Sequence, residues 1–307
     1  MKVRRSRFRS LLALAAVVAG ISILPATASA AARLGPVPHA HAVDRDVLHR
    51  TGGKGFPLIM VIGRSATMAE WDPALIKRLI GDHRVIVFDN RGVATSNNPS
   101  TRTLSIQQMA EDTLGLANAL GIERFDLMGW SMGTYISQQV TLDAPSRVAK
   151  LVLCATDTGG EHYVPPGPAI DRLITAPEGV TTAQLFVLSF PPTKAGADGA
   201  LRYVSRVAVQ PYLEPESFTL SPAAMEQQTL AINAWKSPTG GTYEELPTIK
   251  APTLVAWGNL DVGVPPRNDR IVARRIPHSR SAVFKGAGHA FLFQDPFRVG
   301  RTIDRFL

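Results

Sequence analysis

From Phe56 to the end of the chain, short uninterrupted apolar runs alternate with stretches of helical period. The runs Leu58 to Ile62, Arg84 to Phe88, Arg124 to Met128, Lys150 to Ala155, Pro252 to Trp257 and Ser281 to Phe284 have the length and continuity of strands covered on both faces. Helices are predicted between them at about 73–80, 105–120, 131–143, 266–275 and 295–306. Ile106, Met109, Leu116 and Leu120, or Val299, Ile303 and Phe306, form the one-sided stripes of helices lying on a sheet. The alternation predicts an α/β fold: a mostly parallel central sheet flanked by helices.

That rhythm stops after Thr156 and resumes near Ala251. Prolines at 165, 166, 168, 177, 191 and 192 break the intervening stretch, and helical pieces fall at Thr181 to Phe190 and Pro222 to Trp235. A structureless loop of that length is improbable in a compact domain. The expected organisation is therefore a core of residues 31–156 and 251–307, with residues 157–250 inserted as a helical cap over a substrate cleft. How cap residues such as Leu185, Phe186, Phe190 and Trp235 fill the cleft is expected to set substrate size and acyl preference, and the sequence does not place them.

The first thirty residues follow different rules. Lys2, Arg4, Arg5, Arg7 and Arg9 precede an apolar run from Leu11 to Leu24, and Ala28-Ser29-Ala30 follows. This is the pattern of a secretory signal peptide cleaved after Ala30, too short and too interrupted at Gly20 and Pro25 for a membrane anchor. Its removal lowers the formal charge from +8 to +3, so most of the basic balance belongs to export. No basic run interleaved with aromatics remains to suggest nucleic-acid binding. The single cysteine, Cys154, lies in an apolar run and is expected to be an inert core thiol. Scattered histidines and the lack of a cysteine cluster indicate no metal site, and no cofactor is implied.

The chemistry concentrates at Gly129-Trp130-Ser131-Met132-Gly133, a GxSxG pattern at the end of a predicted strand and the start of a helix. A serine on such a bend is held with its hydroxyl clear of the sheet, and the helix N-terminus directs amides toward a developing oxyanion. A nucleophilic serine needs a base and a group that orients the base. Asp261 follows a predicted strand and a glycine turn, and His289 comes 28 positions later on a glycine loop. Their order and spacing make His289 the expected base and Asp261 its partner; Asp157 is the competing acid, and a helix-capping role is the competing one for Asp261. The expected oxyanion donors are the backbone amides of Met132 and Arg64, with that of Ser65 a lesser candidate. The Arg64 side chain is expected to reach solvent rather than point into the pocket, where it would favour an anionic substrate.

Taken together, these motifs resemble the α/β-hydrolase superfamily over about residues 56–307, in particular its capped esterase, lactonase and cofactor-free haloperoxidase-like branch. The likeness rests on Gly63 with Trp71 beyond it, Asp89-Asn90-Arg91-Gly92 with Ser96, the elbow at 129–133, Gly258 to Asp261, and Gly288-His289. Ile62 replaces the histidine common before the oxyanion glycine, and Thr134 replaces a further glycine after the elbow. The resemblance implies a serine hydrolase acting on an ester, lactone or related acyl bond of a small molecule, and the N-terminal pattern implies that it is secreted. Two alternatives stay open: an aminopeptidase using Glu161, Glu178 or Glu214 to hold an amino terminus, and a ligand-binding protein that retains the fold.

Overall fold

The computed structural model describes residues 39–42, 45–94, 96, 103–174, 182–209 and 221–307. Among the described residues eight strands form the sheet: β1 (His39–Ala42), β2 (Arg45–Gly52), β3 (Phe56–Val61), β4 (His83–Phe88), β5 (Phe125–Trp130), β6 (Val148–Cys154), β7 (Thr253–Gly258) and β8 (Ser279–Phe284). Their spatial order is β1-β2-β4-β3-β5-β6-β7-β8. Pairing is parallel from β4 through β8, while β1–β2 and β2–β4 are antiparallel. The six expected strands are present within two residues at each end; β1 and β2 are additions that the apolar-run criterion did not detect.

The parallel strands are covered on both faces, and alternate residues supply the two cores. Leu58 and Met60 face Trp71, Leu75 and Phe293 on one side. Ile59 and Val61 face Met109, Leu116 and Ile136 on the other. The covering helices are α1 (Pro73–Leu79), α2 (Ile106–Ala119), α3 (Met132–Asp143), α8 (Pro266–Arg275), α9 (Phe291–Gln294) and α10 (Pro296–Asp304). The expected helix at 295–306 is α10; α9 is a further short piece before it, ending at Asp295 because Pro296 cannot continue a helix but suits the first turn of the next.

Between β6 and β7 the described residues are mainly helical: α4 (Pro168–Ile174), α5 (Thr182–Ser189), α6 (Lys194–Ala208) and α7 (Pro222–Lys236). The helix α6 follows Pro191 and Pro192 and is not among the expected helical pieces. Thr193 restarts the backbone by capping the Gly196 amide, and Tyr203 and Ala200 turn inward against the core.

In open α/β sheets ligands bind beyond the carboxyl ends of the strands, where the strand order reverses. Here that point is the β3–β5 junction, since β3 pairs with both β4 and β5. The residues following β3, β5, β6, β7 and β8 converge at this edge.

Candidate active site

Ser131 follows β5 and caps α3 with φ 55° and ψ −125°, a conformation that side-chain-bearing residues rarely adopt. The surroundings enforce it. Ser131 donates its amide to the Cys154 carbonyl at 2.9 Å, and its own carbonyl accepts from the Thr134 amide and hydroxyl at 2.8 and 2.6 Å. Thr134 therefore braces the elbow in place of a glycine. The flanking glycines are required by close approach: a Cβ on Gly133 would sit 2.1 Å from the Val61 carbonyl oxygen, and one on Gly129 2.3 Å from that of Gly133. Gly63 packs similarly against the Ser131 Cβ.

His289 lies on the loop after β8, with Nε2 2.9 Å from Ser131 Oγ and Nδ1 2.8 Å from Asp261 Oδ2. Asp261 divides its two oxygens between tasks. Oδ2 faces the imidazole, whereas Oδ1 accepts the Gly263 and Val264 amides at 2.9 and 2.8 Å. The helix-capping role weighed against the histidine-orienting one is not taken: α8 starts behind Pro265 with no side-chain cap, and Oδ1 instead holds the turn before it. Trp130 braces the histidine from the strand side through an Nε1 bond to the His289 carbonyl. Ser131 remains partly exposed, while His289 and Asp261 are buried.

Asp157, the competing acid, belongs to another network. Its Oδ2 accepts from the Tyr135 hydroxyl at 2.6 Å, and its Oδ1 from the Gly159 amide at 2.9 Å and the Trp235 indole at 3.2 Å. Burial and the neighbouring carboxylate push the Tyr135 hydroxyl well above the usual range, so it stays a neutral donor. Lys236 Nζ lies 3.8 Å from Asp157 Oδ2 and donates to the Tyr163 hydroxyl at 3.0 Å.

A cleft opens above Ser131, walled by Arg64, Tyr135, Ile174, Leu188, Ile232 and Lys236 among others. This corrects the expectation for Arg64 and places cap residues that the sequence left unplaced. The Arg64 side chain turns toward the β6–β7 helices rather than solvent, donating to the Ile174 carbonyl and the Thr229 hydroxyl. Phe186, Phe190 and Trp235 are not cleft residues: Phe190 stacks toward Phe186 and Tyr203, and Trp235 packs behind Tyr135 at 5.2 Å. The side chain of Leu185 lies outside the described residues.

A family model described as alpha/beta hydrolase fold matches residues 57–296. The chain belongs to this family. As an α/β hydrolase it is 30% identical over 251 residues to a poly(3-hydroxyalkanoate) depolymerase of Ectopseudomonas oleovorans, covering 82% of this chain and 84% of that one. Among solved structures it is similar to an alpha/beta hydrolase fold protein from Chitinophaga pinensis, with TM-score 0.75, 22% identity and coverage of 88% and 96%. A thermophilic esterase from Thermogutta terrifontis superposes with TM-score 0.72 at 23% identity, covering 89% and 98%. The relatives of this α/β hydrolase are hydrolases, with haloperoxidase-like proteins among them.

Of the residues expected to form the site, Ser131, His289 and Asp261 meet in one hydrogen-bonded line. Met132 is buried at the first position of α3, where an amide has no acceptor within its own helix. The Ser65 amide is committed to Gln228 Oε1 at 2.8 Å, which removes the lesser oxyanion candidate and leaves that of Arg64. Glu161 is exposed, and Glu178 and Glu214 lie outside the described residues. Cys154 is buried in β6, and burial pushes its thiol up, as an inert core residue requires. Sequence reasoning missed Lys236, Tyr135 and Trp130. The first two have no motif, but Trp130 stands immediately before the nucleophile.

Proposed function

We propose that this α/β hydrolase cleaves a carboxylic ester, lactone or related acyl bond through an acyl-enzyme on Ser131. One observation carries the reading: the unbroken line Asp261 Oδ2, His289, Ser131 Oγ with separations of 2.8 and 2.9 Å. With a proton on Nδ1 directed at Asp261, Nε2 is free to accept the serine hydroxyl proton. Ser131 Oγ then attacks the acyl carbon while His289 takes that proton and passes it to the leaving group. The Met132 and Arg64 amides hold the oxyanion. Water next attacks the acyl-serine, giving its proton to His289, which returns it to Ser131 as the acid departs. Asp261 keeps its charge throughout and stabilises the imidazolium.

The helices between β6 and β7 serve in this reading as a cap that selects the substrate. Cleavage of peptides from a free amino terminus has less support, since no carboxylate lines the described part of the cleft. The test is hydrolysis of 4-nitrophenyl acetate by Ser131→Ala: turnover is lost while the thermal melt is kept, and unchanged turnover refutes the mechanism. A comparison with an aminoacyl anilide separates ester from peptide chemistry.

We also propose export, on the basic-apolar-small pattern of residues 1–30. Protein recovered outside the cytoplasm should begin at Ala31; protein that retains Met1 contradicts this.

A further inference from the structure

Among the described residues the wall of the cleft carries two partly buried cations and a single carboxylate, Asp157, within ion-pair distance of either. Arg64 reaches in from the loop after β3, and Lys236 from the last turn of α7. Among the described residues no carboxylate lies within ion-pair distance of Arg64, whose polar partners are a carbonyl and a hydroxyl. The Lys236 side chain is only 10% exposed, and its nearest carboxylate, Asp157, is 3.8 Å away. That carboxylate is already engaged by three neutral donors. Asp261, the next acid toward the serine, is committed to His289 and two amides. Asp171 acts on Lys236 through space.

Partly burying two cations beside one shared carboxylate is costly, and burial pulls both groups below their ordinary range. A ligand that brings its own negative charge removes that imbalance. Because both cations share the cleft with Ser131 Oγ, such a ligand would have its acyl carbon near the serine and its anionic end toward the wall.

We propose that the α/β hydrolase selects acyl substrates bearing a carboxylate, with Lys236 and the Arg64 guanidinium as its counter-charges. This rests on the acyl-hydrolase reading above, but binding can be measured without turnover. In Ser131→Ala protein, calorimetric titration with monomethyl succinate is compared with methyl butyrate, which is close in size and uncharged. Charge-assisted hydrogen bonding predicts roughly 10- to 100-fold tighter binding of the anion. Adding Lys236→Met should remove most of that difference, and Lys236→Arg should restore it. Equal affinities for the two esters overturn the proposal. So does a preference that survives both Lys236→Met and Arg64→Met, since the anion would then be held by the oxyanion amides alone. Failure of the wild-type enzyme to hydrolyse either ester tells instead against the acyl-hydrolase reading.

Discussion

Trp130 Nε1 donates a 3.1 Å hydrogen bond to the main-chain carbonyl of His289, and the two rings lie 5.4 Å apart. The residue preceding the nucleophile therefore fixes the loop that carries the base. This couples the ends of β5 and β8, and with them the 2.9 Å separation of Ser131 and His289. Trp130→Phe keeps an aromatic surface and removes the donor. A lost bond of about 1 kcal/mol predicts a roughly fivefold fall in kcat, with a smaller change in KM. Steady-state kinetics on 4-nitrophenyl acetate checks the split.

The two aspartates should separate cleanly. Asp261→Asn faces the imidazole with a group that favours the wrong tautomer, and kcat should fall by roughly 10³- to 10⁴-fold. Asp157→Asn should leave kcat within about tenfold while lowering Tm, because it leaves Lys236 buried beside a neutral amide. A larger kcat loss in Asp157→Asn reverses the assignment.

Gly133→Ala should be the more damaging of two small changes on α3. Its methyl would meet the Val61 carbonyl 2.1 Å away, a contact that only movement of β3 or the helix relieves. Overpacking of this kind costs about 1–3 kcal/mol or more. Gln139→Ala on the same helix, which gives up only a surface hydrogen bond to Asp143, should lie within about 1 kcal/mol of wild type. Urea midpoints of the two variants provide the comparison.

Glu70 makes stability depend on pH. Its Oε1 accepts the Thr67 amide at 2.9 Å, and burial pushes its carboxyl from 4.5 up to about 7. A folded-state value above the unfolded one means that the folded protein holds a proton the unfolded chain has released. Its contribution is fully present below about 4.5 and disappears as pH rises through about 7. Melts at pH 4.5, 6 and 7.5 should show a Tm decline over this window that is shallower in Glu70→Gln, which keeps an acceptor and does not titrate.

Local sequence revealed what local physics determines. The parallel strands announce themselves because burial on both faces demands continuous apolar runs, and Ser131 because only glycine tolerates the approaches at 129 and 133. Asp261 and His289 were legible by their order after successive strands. The direction of Arg64 was not, since Ile174 and Thr229 reach it from segments 110 and 165 positions away. Lys236 looked like an ordinary cation in the last turn of a helix, where it favours the dipole. Its burial is set by Asp157 and Tyr163, which no periodicity brings together with it. Trp235 could not be placed for the same reason: helical pattern identifies an apolar residue but not which of two cores receives it.

If Ser131 carries the acyl group, the acyl-enzyme can be trapped on it. The enzyme is mixed with 4-nitrophenyl acetate, quenched in acid during turnover and digested for peptide mass spectrometry. The account predicts an acetyl group on the peptide containing Ser131 and none there in His289→Ala. An acetyl group found reproducibly on another residue during turnover, with Ser131 unmodified, would contradict it.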